Sequence, residues 1–463
     1  MSDDDLGLFG DDHAEERPHP RRRPNGRPPP RRGAPQRGMP ERASGRWQGP
    51  DGGRSRGPER GAAPRAAGRD AGRTATRARP VDTEQAPPKD RGRRRLVIAV
   101  VAVVVLALVG AGVWYGLKQV FGFGYDDYQG SGRSDVLIQV QAGDSTNAIA
   151  ERLLAAGVVA STQAFTYAGE DSDALRGVQP GYYLMKTRMS GKAAVTRIVD
   201  KANRVGELQI EPGSRLDDVK QPNGTIIKGI YSKLAAASCA ELNGKSTCVS
   251  TKDLRRAAAT ADLASLGVPG WAAGDALRAE AARRIEGLIA PDVYQVRPGD
   301  SATELLRTVL TGSAARMQAS GLPSIANGTG FTPYQVLVMA SLIQSEAIEP
   351  DFAKVSRVTY NRLQKNQKLQ YDSTVNYVLD RPEIRTAPED RARAGPYNTY
   401  DVSGLPPTPI SAPGTEALAA AAKPEDGNWL YFVKCEKDGR SCFAADAKQH
   451  QRNIDDAQAR GVY

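Results

Sequence analysis

Glu346 stands at the end of a segment whose pattern predicts a helix from Pro333 to Ala347. Thr332 supplies an N-cap, and Pro333 suits the first helical position, where a missing N–H costs nothing. Met339, Leu342 and Ile343 precede Glu346 at helical spacing, so its carboxyl projects from the stripe that must face a core. Partial desolvation and the negative end of the helix both disfavour the ionised form and raise the pKa. A carboxyl tuned to roughly 6–7 is what general acid catalysis near neutral pH requires. An ordinary solvated glutamate at a helix end fits the same spacing, and periodicity alone leaves both readings open.

Counting removes several other chemistries. Among the three histidines, only His450 lies beyond the long apolar segment described below. A two-histidine zinc site is therefore impossible, and a Ser-His-Asp triad would depend on that one residue. His450 reads mainly as structural. No Gly-rich phosphate loop or dinucleotide motif occurs, so no cofactor and no metal are expected.

The elements that must position Glu346 lie in a chain of 463 residues, long enough for two or three folded units plus an unfolded part. Composition changes near residue 95. Before it, Arg, Pro, Gly and Asp dominate, and residues 1–95 read as a disordered basic tail with too few aliphatic side chains to offset ordering entropy. The net charge of +10 and pI near 9.4 owe much to this tail. Basic arms can bind nucleic acid, but Trp47 is the one aromatic residue among these arginines, and nucleic acid is not expected as a partner. Residues 96–118 are almost wholly Val, Ala, Leu and Ile, long enough at 1.5 Å per residue to span a bilayer as one transmembrane helix. Arg91, Arg93, Arg94 and Arg95 precede it, and Asp126 and Asp127 follow, which places the tail in the cytoplasm and the rest outside. Trp114 and Tyr115 fall at an interfacial belt.

All four cysteines lie on that outer side, where disulfides persist. Four cysteines allow three connectivities; joining near neighbours, Cys239 with Cys248 and Cys435 with Cys442, needs the least rearrangement. Neither pair has the C-x-x-C spacing of a zinc site.

The predicted fold class is α+β. Residues 135–205 read as a small α/β module, with a strand at Val136–Val140, a helix Thr146–Ala156 stopped by Gly157, and a second helix Lys192–Ala202. Residues 207–463 form the larger domain, opening on a strand and turn at Leu208–Gly213. A partly irregular insertion is expected at about 220–275, with helices at Thr251–Ala261 and Gly274–Glu286.

Several ordered motifs resemble one family, the YceG-like endolytic murein transglycosylases. Residues 135–205, with V-Q-A-G-D-S-T-N-A-I-A-E-R-L and the later P-G-Y-Y-L-M, are similar to the LysM-like module of that family. Glu286 to Tyr294 resembles its E-G-Y-L-F-P-D-T-Y element. Ala340 to Glu346 resembles A-S-I-V-E-K-E, which places Glu346 on the second, catalytic glutamate; Gln344 replaces the first and cannot be an acid. Tyr360-Asn361-Arg362-Leu363, Leu369-Gln370-Tyr371-Asp372-Ser373-Thr374-Val375, Tyr397-Asn398-Thr399-Tyr400 and Gly404 to Ile410 continue the resemblance, closed by Trp429 to Val433, Phe443 and His450. Asn361, Gln370, Asp372, Ser373, Asn398 and Tyr400 are the candidate substrate-binding residues, because directional donors and acceptors beside an acid suit a sugar site. Each taken singly also fits a turn or cap. The Gly404–Pro409 loop reads as a rigid wall.

The resemblance implies that Glu346 protonates the oxygen linking N-acetylmuramic acid to N-acetylglucosamine, then takes the proton of the muramic 6-hydroxyl, leaving a 1,6-anhydro end. One carboxylate then suffices, where ordinary glycosidases use two. A muramidase-type hydrolase with Asp372 as second carboxylate, and a non-catalytic wall-binding or division scaffold, are the alternatives. The implied partners are peptidoglycan glycan strands and the cell membrane, with peptidoglycan synthases or division proteins as further candidates.

Overall fold

The computed structural model describes residues 91–120, 124–379 and 386–462, and almost all of the expected disordered tail lies outside them. α1, Arg91–Val120, contains Arg95–Gly116, a stretch of 22 residues with mean hydropathy 3.1 that is left unburied by the other described residues. It is the one helix among the described residues long and apolar enough to cross a membrane.

Beyond it, β1 (Asp135–Val140), β2 (Gly181–Lys186) and β3 (Arg204–Val205) form an antiparallel sheet in the order β1-β2-β3. β2 alternates strictly, burying Gly181, Tyr183 and Met185, as a half-covered strand should. The helices α2 (Thr146–Ala155), α3 (Thr162–Ala168), α4 (Asp173–Arg176) and α5 (Gly191–Val199) cover it, each started by a serine whose hydroxyl accepts a first-turn amide. Ile149, Leu153, Phe165, Leu175 and Ile198 close the small core with Ile138 and Val140. α5 is shorter than the predicted Lys192–Ala202 helix. Asp200 leaves the helical conformation, and its carboxylate caps a separate 3-10 turn at Lys201–Asn203.

The larger part is built on β4 (Glu207–Ile210) paired antiparallel with β9 (Asp292–Gln295), Glu207 opposite Gln295 and Ile210 opposite Asp292. Between them in sequence come the two-residue ribbons β5 (Val219–Lys220) with β6 (Ile226–Ile227) and β7 (Glu241–Leu242) with β8 (Lys245–Ser246), and the helices α6 (Ile230–Ala237), α7 (Thr251–Thr260) and α8 (Gly270–Arg278). The stretch read as a partly irregular insertion thus contributes Ile230, Tyr231, Leu234, Leu254, Leu263, Leu266 and Ala272 to the main core.

The helix expected at Gly274–Glu286 is corrected: α8 begins at Gly270 and ends at Arg278. Residues 284–290 are all buried, which a one-faced helix cannot achieve, so the chain crosses the core there in successive turns. Gly287 has φ +69°, and a Cβ at that position would lie 2.3 Å from Pro409, so this crossing packs directly on the Gly404–Pro409 loop.

α9 (Ala302–Ala319), α10 (Pro333–Glu346), α11 (Phe352–Gln364), α12 (Asp372–Val378), α13 (Pro388–Arg391) and α14 (Thr415–Ala422) follow. α10 is the axis of the domain: Tyr334 and every residue from Val336 to Ile343 are buried, so it is apolar all round rather than along one stripe. Thr332 and Gln335 cap its start reciprocally. The chain ends with the hairpin β10 (Tyr431–Lys434) and β11 (Ser441–Ala444), and α15 (Ala447–Ala459). The disulfides pair Cys239 with Cys248 and Cys435 with Cys442 as expected, and the second ties this hairpin.

Candidate active site

Glu346 is the last residue of α10, and Ala347 turns the chain out into an extended conformation. The burial of α10 therefore carries this carboxyl to the rim of the core, where the residue is half-buried. Desolvation raises its pKa, and the Asp372 charge adds to the rise. The Ser373 side chain and amide oppose it, as does the charge of Lys434. The Ser373 amide donates to Glu346 Oε1 at 3.2 Å.

Asp372, the neighbour of Ser373 at the start of α12, has both oxygens engaged. Oδ1 accepts from Tyr400 Oη at 2.6 Å and from Thr386 Oγ1 at 2.8 Å, while Oδ2 pairs with Arg391 Nη2 at 3.3 Å. Tyr400 is driven upward in pKa by burial and then by this carboxylate. Asn398 braces the same turn: Nδ2 donates to the carbonyls of Arg391 and Arg393 at 2.7 and 2.6 Å, and Oδ1 accepts from the Tyr400 amide at 2.9 Å.

Asn361 and Gln370 belong to a different group of contacts. Asn361 Nδ2 donates to the carbonyls of Trp429 and Gly427 at 2.8 and 3.2 Å. Gln370 Oε1 accepts from Arg362 Nη1 at 3.2 Å, with its own backbone at φ +54°. Arg362 also donates to the carbonyls of Leu430 and Leu369 at 2.6 and 2.7 Å, clamping α11 to the C-terminal hairpin. The structure thus brings Ser373, Asp372, Tyr400 and Asn398 into one connected cluster with Glu346, and sets Asn361 and Gln370 around Arg362.

Gln344 Oε1 accepts from the Gly414 amide at 2.9 Å, a role the acceptor end of glutamine fills without a charge. Ser341 Oγ accepts from the Ile410 amide at 3.0 Å and Ser345 Oγ lies 3.2 Å from Ser411 Oγ, so the end of the Gly404–Pro409 loop is pinned to α10. Thr386 and Arg391 both bond to Asp372, and nothing in a Thr or an Arg beyond the motif signals this in the sequence. His450 stacks on Tyr431 with ring centroids 5.1 Å apart, and burial lowers its pKa. Among the described residues the one grouping of potential metal ligands is Cys435, Glu436 and Cys442, and both sulfurs are consumed by their disulfide. A cavity of about 470 Å³ lies near the start of α10, lined among others by Phe331, Tyr334, Leu405 and Pro406; none of the Glu346 cluster lines it.

The sequence model of the YceG-like family matches residues 138–456. An endolytic murein transglycosylase of Bacillus subtilis is 26% identical over 323 residues, covering 69% of this chain and 84% of that protein. An endolytic murein transglycosylase of Streptococcus pneumoniae is 23% identical over 364 residues, covering 76% of this chain and 63% of that protein. A yceG-like protein of Listeria monocytogenes, solved at 2.6 Å, is 24% identical with a TM-score of 0.46, covering 69% of this chain and 99% of that one.

Proposed function

Because this chain belongs to the YceG-like family, we propose that it is an endolytic lytic transglycosylase of peptidoglycan with Glu346 as its catalytic acid and base. The carrying observation is a half-buried carboxyl whose pKa is raised by desolvation, with a second carboxylate, Asp372, already holding three other donors. Glu346 gives its proton to the oxygen between N-acetylmuramic acid and N-acetylglucosamine as that C–O bond breaks. Its carboxylate then takes the proton of the muramic 6-hydroxyl as that oxygen closes on C1, and no water is consumed. The reaction returns Glu346 to its protonated state.

A muramidase-type hydrolase would need Asp372 free to activate water or attack C1. Tyr400, Thr386 and Arg391 contact both of its oxygens, which supports Asp372 as an organiser of the turn that carries Tyr400 instead. Tyr400 and Ser373 are assigned to glycan binding with it, Asn398 to bracing their turn, and Asn361 and Gln370 to a second group of glycan contacts around Arg362. Residues 135–205 are assigned as a LysM-like module that orients the strand. α1 is assigned as a single membrane span, with the N-terminal tail in the cytoplasm and residues 135–463 outside, where the disulfides can persist.

Mass analysis of products from purified glycan strands tests this reading. Anhydro-muramic ends support it, reducing ends indicate the hydrolase, and a folded protein that yields no products indicates a scaffold.

A further inference from the structure

The core crossing after α8 carries a second carboxyl that the reaction above does not use. Glu286 is 3% exposed. Its Oε1 accepts from the Leu216 amide at 3.1 Å and its Oε2 from Tyr377 Oη at 3.0 Å. Tyr377 lies on α12, one helical turn beyond Ser373 and on the same face. The same end of α12 receives a second grip, because Arg215 Nη1 donates to the Asn376 carbonyl at 3.3 Å. Arg283 lies over the Tyr377 ring, 4.8 Å from its centroid. The other end of α12 is held through Asp372 by Tyr400, Thr386 and Arg391. The Ser373 amide that meets Glu346 is therefore presented by a short helix fixed at both ends.

We infer that Glu286 is a positioning residue for Glu346: through Tyr377 it fixes the helix that presents the Ser373 amide to the Glu346 carboxyl. This rests on the assignment of Glu346 above. A buried carboxyl placed for packing alone would be replaceable by an apolar side chain, whereas both oxygens here are bonded to groups that set the position of other elements. The charged and titratable groups facing Glu286 are Arg215 and Asp217 on the loop after β4, Tyr231 on α6, Tyr334 on α10, Tyr377 on α12, and Tyr397. Burial pushes the Glu286 pKa up to about 7 and raises those of the tyrosines around it.

The effect on chemistry has a definite sign. The Ser373 amide favours the charged form of Glu346. Loosening α12 weakens that bond, raises the Glu346 pKa further and misplaces the acid.

The test uses the full chain in detergent, with purified glycan strands, at several pH values. Tyr377→Phe keeps the ring and removes only the hydroxyl, and it should lower kcat by about tenfold with a much smaller change in KM. The limb of the pH profile that belongs to Glu346 should move to higher pH. Glu286→Ala should do the same or more, and Glu286→Gln, which keeps an acceptor for Leu216 and a polar partner for Tyr377, should recover most of the loss. Hydrogen exchange across residues 371–379 should be at least about tenfold faster in Tyr377→Phe than in the wild type. If Glu286→Ala does not fold, Tyr377→Phe decides. A folded Tyr377→Phe with wild-type kcat, pH limb and α12 exchange overturns the inference. A wild type that cuts no strands defeats the functional reading instead, and the exchange comparison then decides the positioning role alone.

Discussion

Asn243, at the tip of the hairpin closed by Cys239 and Cys248, and Asp135, the first residue of β1, hold each other through three hydrogen bonds. The Asp135 amide donates to Asn243 Oδ1 at 2.7 Å, the Asn243 amide donates to Asp135 Oδ2 at 2.9 Å, and Asn243 Nδ2 donates to the Asp135 carbonyl at 3.2 Å. Asn243 has φ +54°, a conformation Asn tolerates better than most residues. The first disulfide therefore does more than close a small loop: it shapes the tip that fastens the small sheet to the larger domain.

Asn243→Ala removes two side-chain bonds and leaves a less suitable residue at positive φ, so a loss of about 1–2 kcal/mol is expected. The Cys239→Ser, Cys248→Ser double variant should cost up to about 3 kcal/mol on the loop-closure account. Denaturation under non-reducing conditions checks both. Faster proteolysis between β3 and β4 should accompany either change, and unaltered stability in both would dismiss the fastening role.

A fragment lacking everything before Gly124 should retain strand cleavage, because no described contact of the Glu346 cluster involves α1. The boundary matters. Asp127 accepts from the Gly191 amide at 2.9 Å, Ser161 Oγ donates to the Asp126 carbonyl at 2.7 Å, and the Ser190 amide donates to the Gly130 carbonyl at 3.0 Å. A fragment beginning at Ser134 loses these and should melt several degrees lower while still cutting. Equal melting temperatures for the two fragments would show that this approach segment contributes nothing.

The pH dependence of stability follows from Glu286. Its folded pKa of about 7 lies above the ordinary 4.5, so protonation favours the folded state. The contribution is fully present below about pH 4.5 and is lost as pH rises through about 7, with a total swing of about 3 kcal/mol. Gln cannot titrate. The wild type should therefore lose stability relative to Glu286→Gln between pH 5 and pH 8, and a pH-independent difference in melting temperature would reject this.

The place of Glu346 at the end of α10 is legible in the sequence because the signals are local: an N-cap, a proline at N1 and apolar residues at helical spacing. Both disulfides and the strands at Val136 and Leu208 are legible too. The bonds of Asp372 are not, since they depend on Tyr400, Thr386 and Arg391 meeting it from a later stretch of chain. Local propensity favours helix near Gly274–Glu286, whereas the core draws residues 284–290 inward as turns. Glu286 stood inside a recognised motif, yet only its burial and its bond to Tyr377 distinguish it from a helix-end glutamate.

Glu346→Gln should abolish strand cleavage while leaving the fold and glycan binding nearly intact. Gln keeps the shape, and its carbonyl can still accept the Ser373 amide, so α10 and α12 stay in register. It can neither donate a proton to the leaving oxygen nor take one from the 6-hydroxyl. A single general acid–base step contributes roughly 100-fold to 10,000-fold, and one residue serving both steps places the loss at or beyond the upper end. Because its pKa is raised, the protonated form persists to higher pH than in an exposed glutamate, and wild-type activity should fall as pH rises through that value. Gln344→Ala is the control on the same helix. It frees the Gly414 amide and should cost about 1 kcal/mol of stability with far less loss of activity. Near-normal turnover by a folded Glu346→Gln would remove Glu346 from the chemistry and make Asp372, with Tyr400 and Arg391 around it, the next carboxylate to substitute.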